Sequence, residues 1–354
     1  MNTSKALQTV QKRYGAVMLT LLALLAFLFL LALALGSVDV PLGDTARVLL
    51  NKLLGRLETN QQMQTWSLVV CGIRLPRVVT AALVGAALAV SGAAMQGLLM
   101  NPLADGSILG ISAGGTLGAV LFIALGASLP GMLAAGGVAV LSILFSFMSL
   151  LIVLSLAWRF DRGFVTNTII LLGIVFSMFA SSVTSMVVAF SGNKVEHLVY
   201  WMMGSLSAAK AANLVWLAPV CLAGILLLFA KGAELNAFAM GEEQAGYLGV
   251  NVKSSKFQIM VIVAALIGAS VSVSGMIGFV GLIPPHIMRL FVGSNHKRLI
   301  PASALFGAGF LILADLMSRT VVRPLEIPIG IVTSLAGSVL FLYLFNSMRG
   351  RKVQ

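Results

Sequence analysis

Long apolar blocks alternate with short polar ones along the whole chain. Ten blocks stand out, at about 16–36, 78–98, 107–127, 132–157, 167–189, 213–230, 258–276, 277–292, 301–317 and 327–346. Most are unbroken for about 20 residues, the length a helix needs to cross a bilayer. Barrel strands would instead show alternation over about 10 residues. Lipid offers backbone groups no hydrogen-bond partner, so helices are the predicted element throughout. The pattern weakens near Gly275–Gly281, where SGMIGFVGLIPPHIMR places glycines and a Pro-Pro pair inside apolar sequence. The chain must bend or break there, and the segments that follow are short for full spans. The first apolar stretch, Gly15–Leu35, exceeds the 7–15 residues of a signal-peptide core and reads as a retained span.

Composition turns this pattern into a class. Of 354 residues, 59% are hydrophobic and 10% charged, against about 25% charged in soluble domains. Mean hydropathy is +1.03. The expectation is an all-α, polytopic membrane protein with about ten transmembrane helices, forming one domain over residues 1–354 and embedded in a lipid bilayer. The net charge of +12 does not point to nucleic acid, because no Lys/Arg run exceeds two residues. In a membrane protein such charge sits in loops and sets orientation. With the N-terminus inside, inner loops and tails hold 14 of the 23 basic residues, Arg159 and Arg162 among them. Both termini are then cytosolic. Nine basic residues fall outside: Arg47, Lys52, Arg56, Arg74, Arg77, Lys194, Lys210, Arg319 and Arg323. Arg74, Arg77, Arg319 and Arg323 lie tight against span ends. Snorkelling accounts for any one of them; four together suggest an acidic partner on the outer side.

Catalytic chemistry is not in view. Of the acids, Asp105, Asp315 and Glu326 lie near spans, at span ends rather than mid-bilayer. The mid-span carboxylate expected of a proton-coupled carrier is therefore missing. There is no GxxxxGK[ST] stretch; if ATP drives the protein, another chain binds it. Cys71 and Cys221 are far apart in context, and neither a disulfide nor a metal site is expected of them. The stretch 231–257, KGAELNAFAMGEEQAGYLGVNVKSSKF, differs from the other inner loops. It is long, partly helical in pattern, and offers Leu235, Phe238, Tyr247 and Leu248 as apolar anchors beside Glu242 and Glu243, a composition suited to docking in a partner's groove. Ser177, Ser181, Thr184 and Ser185 in the fifth span, and Thr333 and Ser334 in the tenth, give a lightly polar, uncharged lining. Such hydroxyls serve equally for interhelical hydrogen bonds.

The chain also resembles itself. Residues 82–92, ALVGAALAVSG, match 265–275, ALIGASVSVSG, at seven of eleven positions. The copies begin the second and seventh spans. Five spans is an odd offset, so the halves would form an inverted repeat.

The strings RLPR, GAALAVSGAAMQGLLMNPLAD, LGISAGG, YWMMGSL, MGEEQAGYLGV, GFVGLIPPHIMRL, HKRLIPASALFGAGFLILADL and LEIPIGIVTSLAGSVLFLYL resemble those of the iron-chelate and vitamin B12 ABC importer permeases. The match runs from about residue 70 to the C-terminus. Pro284 departs from the pattern, in which an aliphatic residue usually precedes the Pro-His pair. The resemblance implies two permease chains of ten helices each, a cytosolic ATPase subunit carrying ATP and Mg, and an extracytoplasmic substrate-binding protein; no cofactor is implied in this chain. It also implies site residues. Arg74, Arg77 and Arg319 would meet acidic residues of the binding protein. Asn101, Leu103, Thr166 and Asn167 would form a cytoplasmic gate. Gly241, Glu242, Glu243, Leu248 and Gly249 would couple to the ATPase. An iron-siderophore is the first expectation for cargo, followed by haem and vitamin B12. An ion-coupled secondary carrier is the alternative that the repeat alone would favour.

Overall fold

The computed structural model describes residues 2–36, 40–55, 60–125, 131–160 and 165–352, with side chains except at 2–10, 131–136 and 344–352. Arg56 and Arg162 lie outside the described residues. Every described regular element is helical. The ten apolar blocks correspond to α1 (Asn2–Ala34), α4 (Leu75–Leu98), α5 (Ile111–Leu125), α6 (Gly131–Phe160), α7 (Thr166–Ala189), α9 (Ala211–Ala230), α12 (Val252–Ser274), α13 (Ile283–Val292), α14 (His296–Thr320) and α15 (Ile329–Lys352). Shorter helices lie between them: α2 (Leu42–Leu53), α3 (Gln61–Ser67), α8 (Val195–Met202), α10 (Gly232–Phe238) and α11 (Glu242–Tyr247). A π-helical stretch, Leu68–Arg74, joins α3 to α4, so helix runs on from Gln61 to Leu98. Among the described residues, seven helices are long and apolar enough to cross a membrane, and α5 and the Ile329–Tyr343 part of α15 are shorter apolar helices.

The centre of the bundle is the pair α4 and α14, which run antiparallel: Arg77 meets Asp315, Gly85 meets Gly307, and Gly97 meets the His296 ring. Their backbones cross closely. A Cβ at Gly85 would stand 2.3 Å from the Gly307 carbonyl oxygen, and one at Gly307 would stand 2.4 Å from the Ala89 Cβ. Any side chain at either glycine would force the helices apart.

The repeat appears in the packing. α4, the second span, lies against α14, the ninth; α12, the seventh, lies against α6, the fourth. Exchanging the halves exchanges these two pairs. Gly85 faces α14, and its repeat partner Gly268 faces Ser146 and Ile143 of α6. The copies then diverge. α4 continues through Gly92 into AAMQGL, whereas α12 ends at Ser274 and Gly275 turns away with φ 67°. The next residues, MIGFVGLIPP, combine glycines, β-branched residues and prolines that do not sustain a helix.

The predicted eighth span at 277–292 therefore needs correction. It is helical only from Ile283, with Pro284 and Pro285 in the first turn, where the missing N–H groups cost nothing. A ten-residue helix covers only about 15 Å. The crossing is completed by non-helical backbone at 275–282, which reaches from Trp201 and Gly204, beside Gly275, to Gly92, beside Gly281. Irregular backbone is tolerated at membrane depth where protein covers it. Here the Gln96 amide donates to the carbonyls of Gly281 (3.4 Å) and Leu282 (3.3 Å).

Candidate functional site

At one end of the bundle the three arginines converge, but inward. Arg74, Arg77 and Arg319 are only 4%, 8% and 5% exposed, so they do not present the open guanidinium surface expected of them. The cause is the C-terminus of α1, whose last carbonyls have no partner within the helix and which carries no basic residue in its own last turn. Arg74 donates to the carbonyls of Leu33 (2.8 Å) and Ala34 (2.7 Å), and Arg319 to those of Ala32 (2.6 Å) and Leu35 (3.0 Å). Cations are favoured at that pole of a helix. Arg77 binds Asp315 through Nε (2.8 Å) and grips Glu326 with both terminal nitrogens (2.9 and 3.0 Å). The second oxygen of Asp315 lies 3.2 Å from Arg319 Nε, an ion pair without hydrogen-bond alignment. Asp315 is buried; Glu326, with its side chain 42% exposed, is the cluster's opening to solvent.

At the other end, residues 231–251 fold into α10 and α11, and 252–257 are already the first turns of α12. Leu235 and Phe238 are buried against the bundle, so two of the four expected anchors face inward, while Tyr247 (82% exposed) and Leu248 (64%) face out with Met240 and Glu243. Gly241 (φ 116°) and Gly249 (φ 87°) flank α11 in backbone conformations that favour glycine. Glu242 points inward instead. It accepts from the Thr166 hydroxyl and forms an ion pair with Lys256, whose Nζ also lies 3.2 Å from Thr166 Oγ1. The sequence reading missed Lys256. Its place just before the apolar run of α12 that begins at Ile259 was the available signal.

The expected gate residues lie on two elements. Asn101 and Leu103 belong to the 101–110 loop, where Asn101 Oδ1 accepts from the Leu103 N–H at 2.9 Å and leaves Leu103 exposed. Thr166 and Asn167 start α7; Thr166 is buried and Asn167 exposed. α7 connects them. A Cβ at Gly173 would stand 2.0 Å from the Ile108 carbonyl oxygen, and Ser177 donates to the Ser107 carbonyl at 3.2 Å.

The expected lining divides as well. Ser181 and Ser185 are exposed, while Thr184 is buried and bonds the Ala180 carbonyl of its own helix. Thr333 is buried and bonds Gly330, whereas Ser334 lines a cavity of about 620 Å³. That cavity is walled by Met202 and Met203 at the end of α8, Met276 and Gly278 of the non-helical crossing, and Ile331 and Leu335 of α15. Among the described residues, no charged side chain lines it. It is the concave, chiefly apolar kind of site in which transporters with discontinuous helices hold cargo.

A repeat-built bundle of span-length apolar helices with a broken crossing has the architecture of a membrane permease. The chain belongs to the FecCD transport family, whose profile matches residues 24–347. It is 41% identical to the ABC transporter permease protein YvrB of Bacillus subtilis, with 96% of this chain and 95% of that one aligned. It is 38% identical to the hemin transport system permease protein HmuU of Yersinia pestis, over 93% and 97% of the two chains. A cobalamin import system permease protein, BtuC of Halobacterium salinarum, is 38% identical over 82% of this chain and 76% of its own. Among solved structures, an inward-facing metal-chelate type ABC transporter aligns with TM-score 0.81 and 30% identity, covering 94% of this chain and 99% of that one. The chain is an ABC importer permease of the metal-chelate class, which sets the ion-coupled carrier aside.

Proposed function

We propose that this permease carries an iron chelate, an iron-siderophore first, through a passage bounded by the Met202–Met276–Ser334 cavity, driven by an ATPase subunit seated on the face of α10 and α11. The observation that carries this reading is the split character of that element: Leu235 and Phe238 anchor it, leaving Met240, Glu243, Tyr247 and Leu248 for a partner. An apolar-acidic patch of this kind suits a groove in a soluble subunit. Both chain termini lie on the same, cytosolic side. A substrate-binding protein docks at the arginine end, with Glu326 and Arg323 on the open rim and the buried arginines holding that rim in shape. A second permease chain completes the passage.

The test is uptake into proteoliposomes holding the permease, its genomically adjacent ATPase and its binding protein, offered ferric hydroxamate, ferric citrate, hemin and cobalamin in turn. The expected outcome is ATP-dependent accumulation, greatest for the ferric hydroxamate. Tyr247→Asp together with Leu248→Asp should release the ATPase in a pull-down while the permease stays folded. Uptake without ATP, or ATPase retention by the double variant, would overturn the reading.

A further inference from the structure

The coupling element stands on two unequal legs. The first is Asn236 of α10: its Oδ1 accepts from the His296 backbone N–H at 2.7 Å and lies 2.9 Å from His296 Nδ1, and its amide donates to Asn295 at 3.1 Å. That leg enters α14 where the His296 ring lies against Gly97 of α4, the most tightly packed pair in the bundle. The second leg is Glu242, which enters the foot of α7 through Thr166 and is met from α12 by Lys256. α7 is held quite differently. Its buried residues are Thr166, Ile169, Gly173, Ala180 and Thr184, a single narrow stripe, and large apolar residues such as Leu171, Val175 and Phe179 are exposed. Along that stripe it touches the 101–110 loop at Gly173 and Ser177.

We propose that Glu242 and Lys256 are positioning residues that clamp the foot of α7, making α7 the lever through which movement of the coupling element reaches the loop bearing Asn101 and Leu103. A displacement of α10 and α11 meets stiff resistance at the Asn236 leg and yields at the Glu242 leg. Because the Thr166 hydroxyl bonds Glu242 and lies beside Lys256, the helix follows the carboxylate. Lys256 is 1% exposed; its charge holds the carboxylate from the buried side. The inference rests on the importer reading of the chain.

The test compares Lys256→Met, Lys256→Arg, Glu242→Gln and wild type in the assembled permease–ATPase–binding protein complex, reading cargo moved per ATP hydrolysed. Lys256→Met should leave hydrolysis within about twofold and lower the ratio about tenfold, within the usual range of coupling between sites. Lys256→Arg should restore most of it. Glu242→Gln substitutes if Lys256→Met does not fold, with a smaller loss expected. A merely structural role would lower yield or melting temperature without changing cargo per ATP, and an unchanged ratio would overturn the proposal. If the wild-type complex moves none of the chelates, the importer reading itself has failed. The clamp is then judged on the isolated chain by spin labels at Leu248 and Leu171: a narrow distance in wild type that broadens in Lys256→Met supports it, and equal widths in both overturn it.

Discussion

The two ends of the bundle each hold a cluster of charges, and they are built differently. At the arginine end, three guanidiniums and two carboxylates gather around the carbonyls of α1, with Asp315 wholly enclosed. At the end formed by α10, α11 and the foot of α7, one lysine meets one carboxylate that is still 27% exposed, with a threonine hydroxyl between them. The first joins α1, α4, α14 and the stretch before α15 into one block. The second joins α7, α11 and α12 by a single ion pair. Enclosed charges with many partners are costly to disturb, whereas a single pair whose carboxylate is partly open to water is less so. One end is held by many bonds and the other by few.

The largest expected effect comes from breaking the enclosed cluster. Asp315→Ala leaves Arg77 and Arg319 facing one another with only the rim carboxylate of Glu326 between them, and should cost about 3–5 kcal/mol. The measurement is thermal unfolding in detergent; a melting temperature within a few degrees of wild type would mean that the carbonyls of α1 suffice. Glu242→Gln at the opposite end should cost less, about 1–3 kcal/mol, because one buried cation rather than two loses its carboxylate and the amide oxygen can still accept from Thr166 and Lys256. Equal losses from the two variants would erase the proposed difference between the ends. The gentlest test concerns sidedness alone. Single cysteines at the exposed positions Lys194 and Lys297, placed in a Cys71→Ser, Cys221→Ser background, should fold normally, since surface substitutions usually stay within about 0.5 kcal/mol. They should react with an impermeant maleimide from opposite faces of the membrane.

Much of this was legible from periodicity. Nine of the ten apolar blocks became helices over most of their length and the eighth only from Ile283, because span-length hydrophobic runs leave lipid-exposed backbone little alternative. α2 and α8 escaped notice because each is too short and too mixed to register as a span. The broken crossing was half legible: a span was expected at 277–292 and glycines and prolines announced a disruption at 275–285, but not that the span would be helical only from Ile283. The arginines illustrate the harder limit. Their excess at one end was visible, and so was Asp315 at a span end. Nothing in local sequence shows that the carbonyls of α1, some 40 residues before Arg74 and more than 280 before Arg319, would claim them. Partners so distant along the chain are set by packing, and what reads as surface charge can prove to be a helix cap. The expected gate positions were reached through family likeness, and the 231–257 stretch through its composition as well; Lys256, which no motif marks, emerged from geometry alone.

The distance between Arg77 and Asp315, 238 residues of chain, has a consequence for how the protein is made. At a synthesis rate of about 5–20 residues per second, α4 must wait roughly 10–50 seconds in the membrane before the acid that neutralises it leaves the ribosome. Throughout that interval an uncompensated cation sits on a newly inserted helix. Near the start of α4, Arg77 can extend to the lipid headgroups and stay hydrated; at the middle of the same helix it could not. The edge position of the arginine is thus suited to the unfinished chain as well as to the finished one. Biogenesis and final stability place the same side chain under the same constraint, met first by phosphate and water and afterwards by carboxylate.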